Sequence, residues 1–257
     1  MKPAILIIAA ALFSTPLRAQ TCADVNDIGD LGHPTVLDAD VSADGSVVVG
    51  RALVPAASAY RAFRWTEVGG MQELGTLGGA QSGASAVSAD GSVVVGWSDV
   101  GASFVSRAFR WTSSGGMQDL GTLWTSSSAT GVSADGSVVV GFTDTQTGYE
   151  AFRWTAATGM QSLGVLPNTY ESFASAVSDD GDVVVGSATS NNAPGFTVLS
   201  RAFRWTPVGG MQDLGTLPGD SFARATDMSA DGDVIVGSSA SASPIPCGCF
   251  PQPYSVT

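Results

Sequence analysis

Three consecutive valines, Val47–Val49, follow the polar turn Ala43-Asp44-Gly45 and end at Gly50. The nine-residue stretch that holds them, SADGSVVVG at Ser42–Gly50, returns unchanged at Ser88–Gly96 and Ser133–Gly141. Near-copies follow as SDDGDVVVG at Ser178–Gly186 and SADGDVIVG at Ser229–Gly237. Asp-Gly between two apolar runs predicts a tight hairpin, because Gly accepts positive φ and Asp can bond the turn backbone. An unbroken valine triplet does not alternate apolar with polar, so the strand it forms is expected to be covered on both faces.

The hairpins start 46, 45, 45 and 51 residues apart, and other segments share the period. RAFRWT lies at Arg61–Thr66, Arg107–Thr112 and Arg201–Thr206, with EAFRWT at Glu150–Thr155. A Gly and a further strand follow each: GMQELGTL from Gly70, GMQDLGTL from Gly116 and Gly210, GMQSLGVL from Gly159. Each unit therefore reads as four short strands, and nothing after the first twenty residues signals a helix. Four strands in about 45 residues is the arithmetic of a β-propeller blade, whose faces are both covered by neighbours. A β-solenoid is the rival; its rungs are shorter and it needs polar capping ends.

The ends of the chain refine this expectation. Asp27–Gly32, DIGDLG, matches the fourth strand alone, and Gln252–Thr257, QPYSVT, aligns loosely with RAFRWT. Gln252 stands 23 residues after Ser229, as Arg201 stands 23 after Ser178. The expected architecture is thus all-β: a single domain over residues 20–257, with five four-stranded blades closed by an N-terminal strand. A truncated member of a longer array is the alternative.

Residues 1–19, with Lys2 before the apolar run Ala4–Phe13, read as a secretory signal cleaved after Ala19. No later stretch is long and apolar enough to span a bilayer as a helix, so the expectation is a secreted protein, extracellular or periplasmic, with no membrane insertion after cleavage. Beyond residue 20 the only basic residues are nine arginines, against 23 acidic residues, and the net charge is −12. Such a surface repels nucleic acid and anionic lipid. Of the three cysteines, Cys22 lies near the start and Cys247 and Cys249 near the end. In an oxidising compartment this suggests a bridge joining the ends, from Cys22 to either partner. It would contribute roughly 2–4 kcal/mol by restricting the unfolded chain.

The pairing of SADGSVVVG with RAFRWT and GMQDLGTL resembles the HAF-type extracellular repeat, whose His-Ala-Phe core here reads Arg-Ala-Phe. The resemblance covers nearly all of the chain after the leader. It implies an exported bacterial repeat protein with no established biochemical activity. Some members of that family carry an outer-membrane translocator or sorting segment, which these residues lack. The strand order also resembles that of Trp-Asp repeat propellers, in which a lone N-terminal fourth strand closes the ring.

Candidate chemistry is weighed against this frame. Arg64, Arg110, Arg153 and Arg204 recur at one position of the third strand, and Asp44, Asp90, Asp135, Asp180 and Asp231 recur in the turn. A structural Arg–Asp contact within or between blades is expected; a ring of arginines holding an anionic ligand is the rival. The position of Arg61, Arg107 and Arg201 becomes Glu150 in the third unit, so it is expected to be exposed. Trp65, Trp111, Trp154 and Trp205 recur at a fixed strand position and read as core. Trp97 and Trp124 break the pattern and are the better ligand candidates.

The Asp-rich turns, Asp179, Asp180 and Asp182 among them, do not match a calcium loop, so no metal and no cofactor is expected. Catalysis lacks a constellation. His33 is the only histidine, and the glutamates Glu67, Glu73, Glu150 and Glu171 are scattered over different units. The expected function is a non-catalytic binding or cell-surface interaction module, monomeric, for a protein or glycan ligand. The alternatives are a secreted polysaccharide hydrolase or lyase, with Glu171 or Asp220 implicated, and a fragment of an autotransporter-type array.

Overall fold

The structure is a computed structural model that describes residues 28–29, 35–101, 105–190 and 199–241. The leader, His33, all three cysteines, QPYSVT and most of the loop after Ser190 lie outside these residues.

The described residues are all β apart from one 3-10 turn at Pro55–Ala57. The first sheet holds β1 (Val36–Val41), β2 (Val47–Val54), β3 (Ala59–Thr66) and β4 (Gly70–Glu73) in sequence order. The second holds β5 (Gly78–Val87), β6 (Val93–Val100), β7 (Ser106–Thr112) and β8 (Gly116–Asp119). The third holds β9 (Ser127–Val132), β10 (Val138–Thr145), β11 (Gly148–Thr155) and β12 (Gly159–Ser162).

A fourth, six-stranded sheet contains two units. Its first is β13 (Glu171–Val177), β14 (Val184–Thr189), β15 (Ser200–Thr206) and β16 (Gly210–Gly215). Its second is the hairpin β17 (Phe222–Met228) and β18 (Ile235–Ala240), joined to β15 by the single parallel pair Ser200–Phe222. Each repeat is therefore an antiparallel meander with its own edges. The fourth strand is shorter than GMQDLGTL suggests: β4, β8 and β12 end before the leucine.

Packing between units explains the valine triplets. Val47 and Val49 pack forward on Val94, Phe109 and Trp111 of the second unit. Val93 and Val95 pack on Val139 and Phe152 of the third, and Val138 and Val140 on Val184 and Phe203 of the fourth. Val183 and Val185 meet Ala223, Ala225 and Ile235 of the fifth. The outer valines face the next unit and the middle one faces the previous unit, so alternation persists but both faces are apolar. Consecutive first strands touch one another, whereas consecutive fourth strands make no comparable contact. The units therefore converge on their first strands, as radial blades do.

Two glycines show why the motif cannot vary. A Cβ on Gly136, whose φ is +70°, would lie 2.4 Å from Val93 Cγ2 of the preceding unit. A Cβ on Gly141 would lie 2.0 Å from the Ser128 carbonyl oxygen, where a β-bulge draws β9 against β10.

Both ends of the described array carry unfinished faces. Val234 and Val236, counterparts of the covered Val47 and Val49, are 61% and 52% exposed. At the other end Ile28 packs on Val48, Phe63, Trp65 and Met71. Leu74 lies in the corresponding cluster with Val94, Phe109, Trp111 and Met117. Gly29 has a φ of +75°, against +75° to +82° at Gly75, Gly121, Gly164 and Gly215. Ile28-Gly29 thus takes the place and the conformation of a fourth-strand Leu-Gly step laid on the first unit, as the sequence match of DIGDLG implies.

Candidate functional site

One end of the hairpins repeats the same hydrogen bonds from unit to unit and satisfies itself. In the first turn the Ser42 hydroxyl donates to Asp44 Oδ1 at 2.9 Å and accepts the Val47 N–H at 3.0 Å. The Ser46 N–H donates to the same carboxylate at 2.9 Å. The arrangement recurs with Ser88–Asp90, Ser133–Asp135, Ser178–Asp180 and Ser229–Asp231. These donors favour the charged form and hold each aspartate below the usual carboxylate range, Asp44 to about 2, with the Ser46 N–H as the largest cause.

The turns also bond one another. Ala43 N–H donates to Ala89 O, Ala89 to Ala134 O, Ala134 to Asp179 O and Asp179 to Ala230 O, at 2.8 to 3.1 Å. The five turn aspartates are therefore turn formers. Among the described residues no group of three or more His, Cys, Asp or Glu is arranged to hold a metal ion.

Three of the four recurring arginines bridge units, but to a turn carbonyl rather than to the recurring turn aspartate. Arg64 donates to the Gly91 carbonyl at 3.3 Å, Arg110 to Gly136 at 3.1 Å and Arg153 to Gly181 at 3.1 Å. Each acceptor belongs to the turn of the next unit. The expected Arg–Asp pair is corrected accordingly, since the turn carboxylates already face serine hydroxyls and backbone N–H groups. Only Arg153 nears an acid, with Asp182 Oδ1 at 4.0 Å. Arg204 makes no such bond among the described residues.

The first arginine position is half-buried rather than exposed. Arg61 pairs with Glu73 at 3.1 Å and Arg107 with Asp119 at 3.5 Å. Where Glu150 replaces arginine, Ser162 replaces the acid and donates to it. Both partners change together, which is why charge reversal is tolerated.

The four repeated tryptophans lie in the core as expected: Trp111 is buried, and Trp65, Trp154 and Trp205 are partly buried against neighbouring clusters. Sequence reasoning missed a second interblade device. Buried Ser82 accepts the Ala62 N–H at 2.9 Å and donates to Gly75 O at 2.7 Å, both in the preceding unit. Ser127 does the same with Ala108 and Gly121, and Ser172 with Ala151 and Gly164. The signal was a serine two residues before a buried alanine in SGA, SSA and SFA. It is Ala223 in the fifth unit, where β16 runs on to pair Gly215 with Ala202 instead.

The opposite end of the hairpins varies. One register row pairs Leu37 with Arg51, Gly83 with Trp97, Ser128 with Phe142, Phe173 with Ser187 and Arg224 with Ser238. From the second unit to the fifth each blade offers one large and one small residue here; the large one is Trp97, Phe142, Phe173 and Arg224 in turn, on the second strand in the second and third units and on the first strand in the fourth and fifth.

The large groups of the first four units meet in two sets, Arg51 with Trp97 and Phe142 with Phe173. The Arg51 guanidinium lies 5.3 Å from the Tyr60 ring centroid and 5.9 Å from that of Trp97, within cation–π reach. It also lies 2.6 Å from Asp38 Oδ2, on a residue with φ of +55°. Phe142 meets Phe173 at 5.3 Å and Tyr149 at 5.9 Å, both edge-on, and Tyr149 lies 5.7 Å from Phe173. Between them Trp97, Phe142 and Tyr149 with Ser106 and Ser126–Ser128 line a cavity of about 390 Å³.

Trp124, the other non-repeated tryptophan, is half-exposed in the loop after β8 and does not line this cavity. Glu171 accepts from the Thr189 hydroxyl at 3.3 Å and Asp220 from Ser239 at 2.7 Å, each inside its own unit.

Comparison with known proteins gives the fold alone. No family model and no curated protein matches the chain. Among solved structures it is similar to TolB from Acinetobacter baumannii, with a TM-score of 0.50 and 12% identity, over 77% of this chain and 52% of that one. It is similar also to a putative TolB from Agrobacterium tumefaciens, with a TM-score of 0.52 and 15% identity, over 78% of this chain and 72% of that one. The tricorn protease matches at 0.52 and 12% identity, over 77% of this chain but 18% of its own. The chain thus spans about half of the first of these proteins. The scaffold is of the β-propeller type.

Proposed function

We propose that the protein is an exported, non-catalytic binding module, monomeric, on a propeller of five blades. The single observation that carries this reading is the variable register row, Leu37/Arg51 to Arg224/Ser238, set in a frame that otherwise repeats. Residues that serve the scaffold recur and are satisfied internally; residues that differ between equivalent loops and strand ends are the ones free to recognise a ligand. The leader-like residues 1–19 and the resemblance to HAF-type repeats support export and a role at the cell surface.

Ring closure is part of the proposal. The uncovered Val234 and Val236 and the fourth-strand placement of Ile28-Gly29 support a fifth blade completed by the two chain ends. A disulfide from Cys22 to Cys247 or Cys249 would lock it. Thermal unfolding of Gln20–Thr257 beside the same chain ending at Ser243, each with and without reductant, tests closure. Truncation and reductant should each lower the transition; a truncation without effect refutes closure. Binding without product release on incubation with polysaccharides and peptides supports the module, and turnover of any of them overturns it.

A further inference from the structure

We infer that the cavity between Trp97, Phe142 and Tyr149 is a binding site for a neutral saccharide; the inference rests on the binding-module reading and names its site and ligand class. The lining is aromatic rings and serines, and it contains no charged residue although the chain carries a net charge of −12. Its volume of about 390 Å³ lies in the range of sites that enclose small-molecule-sized ligands.

The hydrogen-bonding groups divide into two sets. Ser106 donates to Asp99 Oδ1 at 3.0 Å and Ser127 to Gly121 O at 2.6 Å, so both are committed to the scaffold. The Trp97 indole N–H, the Tyr149 hydroxyl and the Ser128 hydroxyl make no side-chain hydrogen bond among the described residues. Tyr149 is 40% exposed, and Trp97 and Ser128 are half-buried.

A ligand that fits must present apolar faces to the rings and hydroxyls to these three groups while carrying no charge. An anionic chain would meet the acidic field of the protein, and a cationic one would find no carboxylate in the lining. A sugar ring, with C–H faces and an equatorial edge of hydroxyls, combines the two chemistries. The rings are held in place for it. Gly83 leaves room for Trp97, since a Cβ there would come within 2.9 Å of its Nε1, and Arg51 rests on the indole from the first unit. Phe142 braces Tyr149 edge to face at 82°, and Phe173 packs on it at a tilt of 36°.

The test is titration of the purified protein with neutral gluco-, manno- and chito-oligosaccharides, read by calorimetry and by tryptophan fluorescence. At least one series should bind with a change in indole emission. Trp97→Ala and Tyr149→Ala should each weaken it at least tenfold with unchanged melting, while Trp124→Ala leaves it intact. Should Trp97→Ala misfold, Tyr149→Ala and Ser128→Lys, both at solvent-accessible positions, carry the same comparison.

Saccharide binding indifferent to Trp97, Tyr149 and Ser128 overturns the site. Binding of a peptide or an anionic glycan that these changes abolish overturns the ligand class but leaves the module standing. Cleavage of the oligosaccharides overturns the binding-module reading itself. Binding of none of the probes in any arm overturns the inference.

Discussion

Replacing Ser127 with Ala removes one oxygen that joins two blades. Its hydroxyl accepts the Ala108 N–H at 2.9 Å and donates to the Gly121 carbonyl at 2.6 Å, and both Ser127 and Ala108 are buried. Alanine fills the same space without the oxygen, so the Ala108 N–H is left unpaired. A buried orphaned donor costs about 1–3 kcal/mol, and the lost bond to Gly121 adds about 1 kcal/mol more. The expected destabilisation is about 2–4 kcal/mol. For a domain of this size each kcal/mol lowers the melting temperature by about 2–4 °C, so a fall of roughly 4–16 °C follows.

Chemical denaturation with an unchanged m-value measures the first quantity, and amide exchange at Ala108 locates it. The fifth unit supplies the alternative outcome. There Ala223 stands at the serine position and β16 extends to pair Gly215 with Ala202. If Ser127→Ala lets β8 extend in the same way, stability and Ala108 protection stay at wild-type levels, and the serine is not what joins these blades.

Other expectations follow from the same contacts. Arg110→Met should cost roughly 1–3 kcal/mol through loss of the bond to Gly136 of the next blade, whereas Arg204→Met, with no such bond among the described residues, should cost less; paired urea titrations decide. The turn aspartates have folded pKa values below their unfolded ones, so the unfolded chain binds more protons as acid is added. For Asp44 the stabilisation is complete above its unfolded value of about 4 and is lost as pH falls toward its folded value of about 2, and Asp44→Asn should flatten the fall in melting temperature measured against pH. Gly141→Ala should destabilise by roughly 3 kcal/mol or more, because its Cβ would sit 2.0 Å from the Ser128 carbonyl oxygen; near-native melting would contradict that packing.

Much of this molecule was legible along the chain because its local rules are short-range. An Asp-Gly turn, a valine triplet and a Gly before the next strand specify a hairpin from a dozen residues, and five copies at a fixed spacing specify stacked units. The burial of Trp111, the need for Gly at Gly136 and the fourth-strand character of Ile28-Gly29 were all readable from repetition. The Trp97 position was readable as a departure from it.

Contacts between units were not legible, because they join residues of different hairpins, 6 positions apart in Ser127–Gly121 and 46 in Ala43–Ala89, through the twist and separation of neighbouring sheets. Those distances sent Arg110 to the Gly136 carbonyl rather than to Asp135, and they placed Ser127 between Ala108 and Gly121. They also gathered Arg51, Trp97, Phe142 and Phe173 from four separate units onto one register row. A repeat determines what each blade is. The angle at which blades meet determines which side chains touch, and that angle arises only when the apolar faces pack.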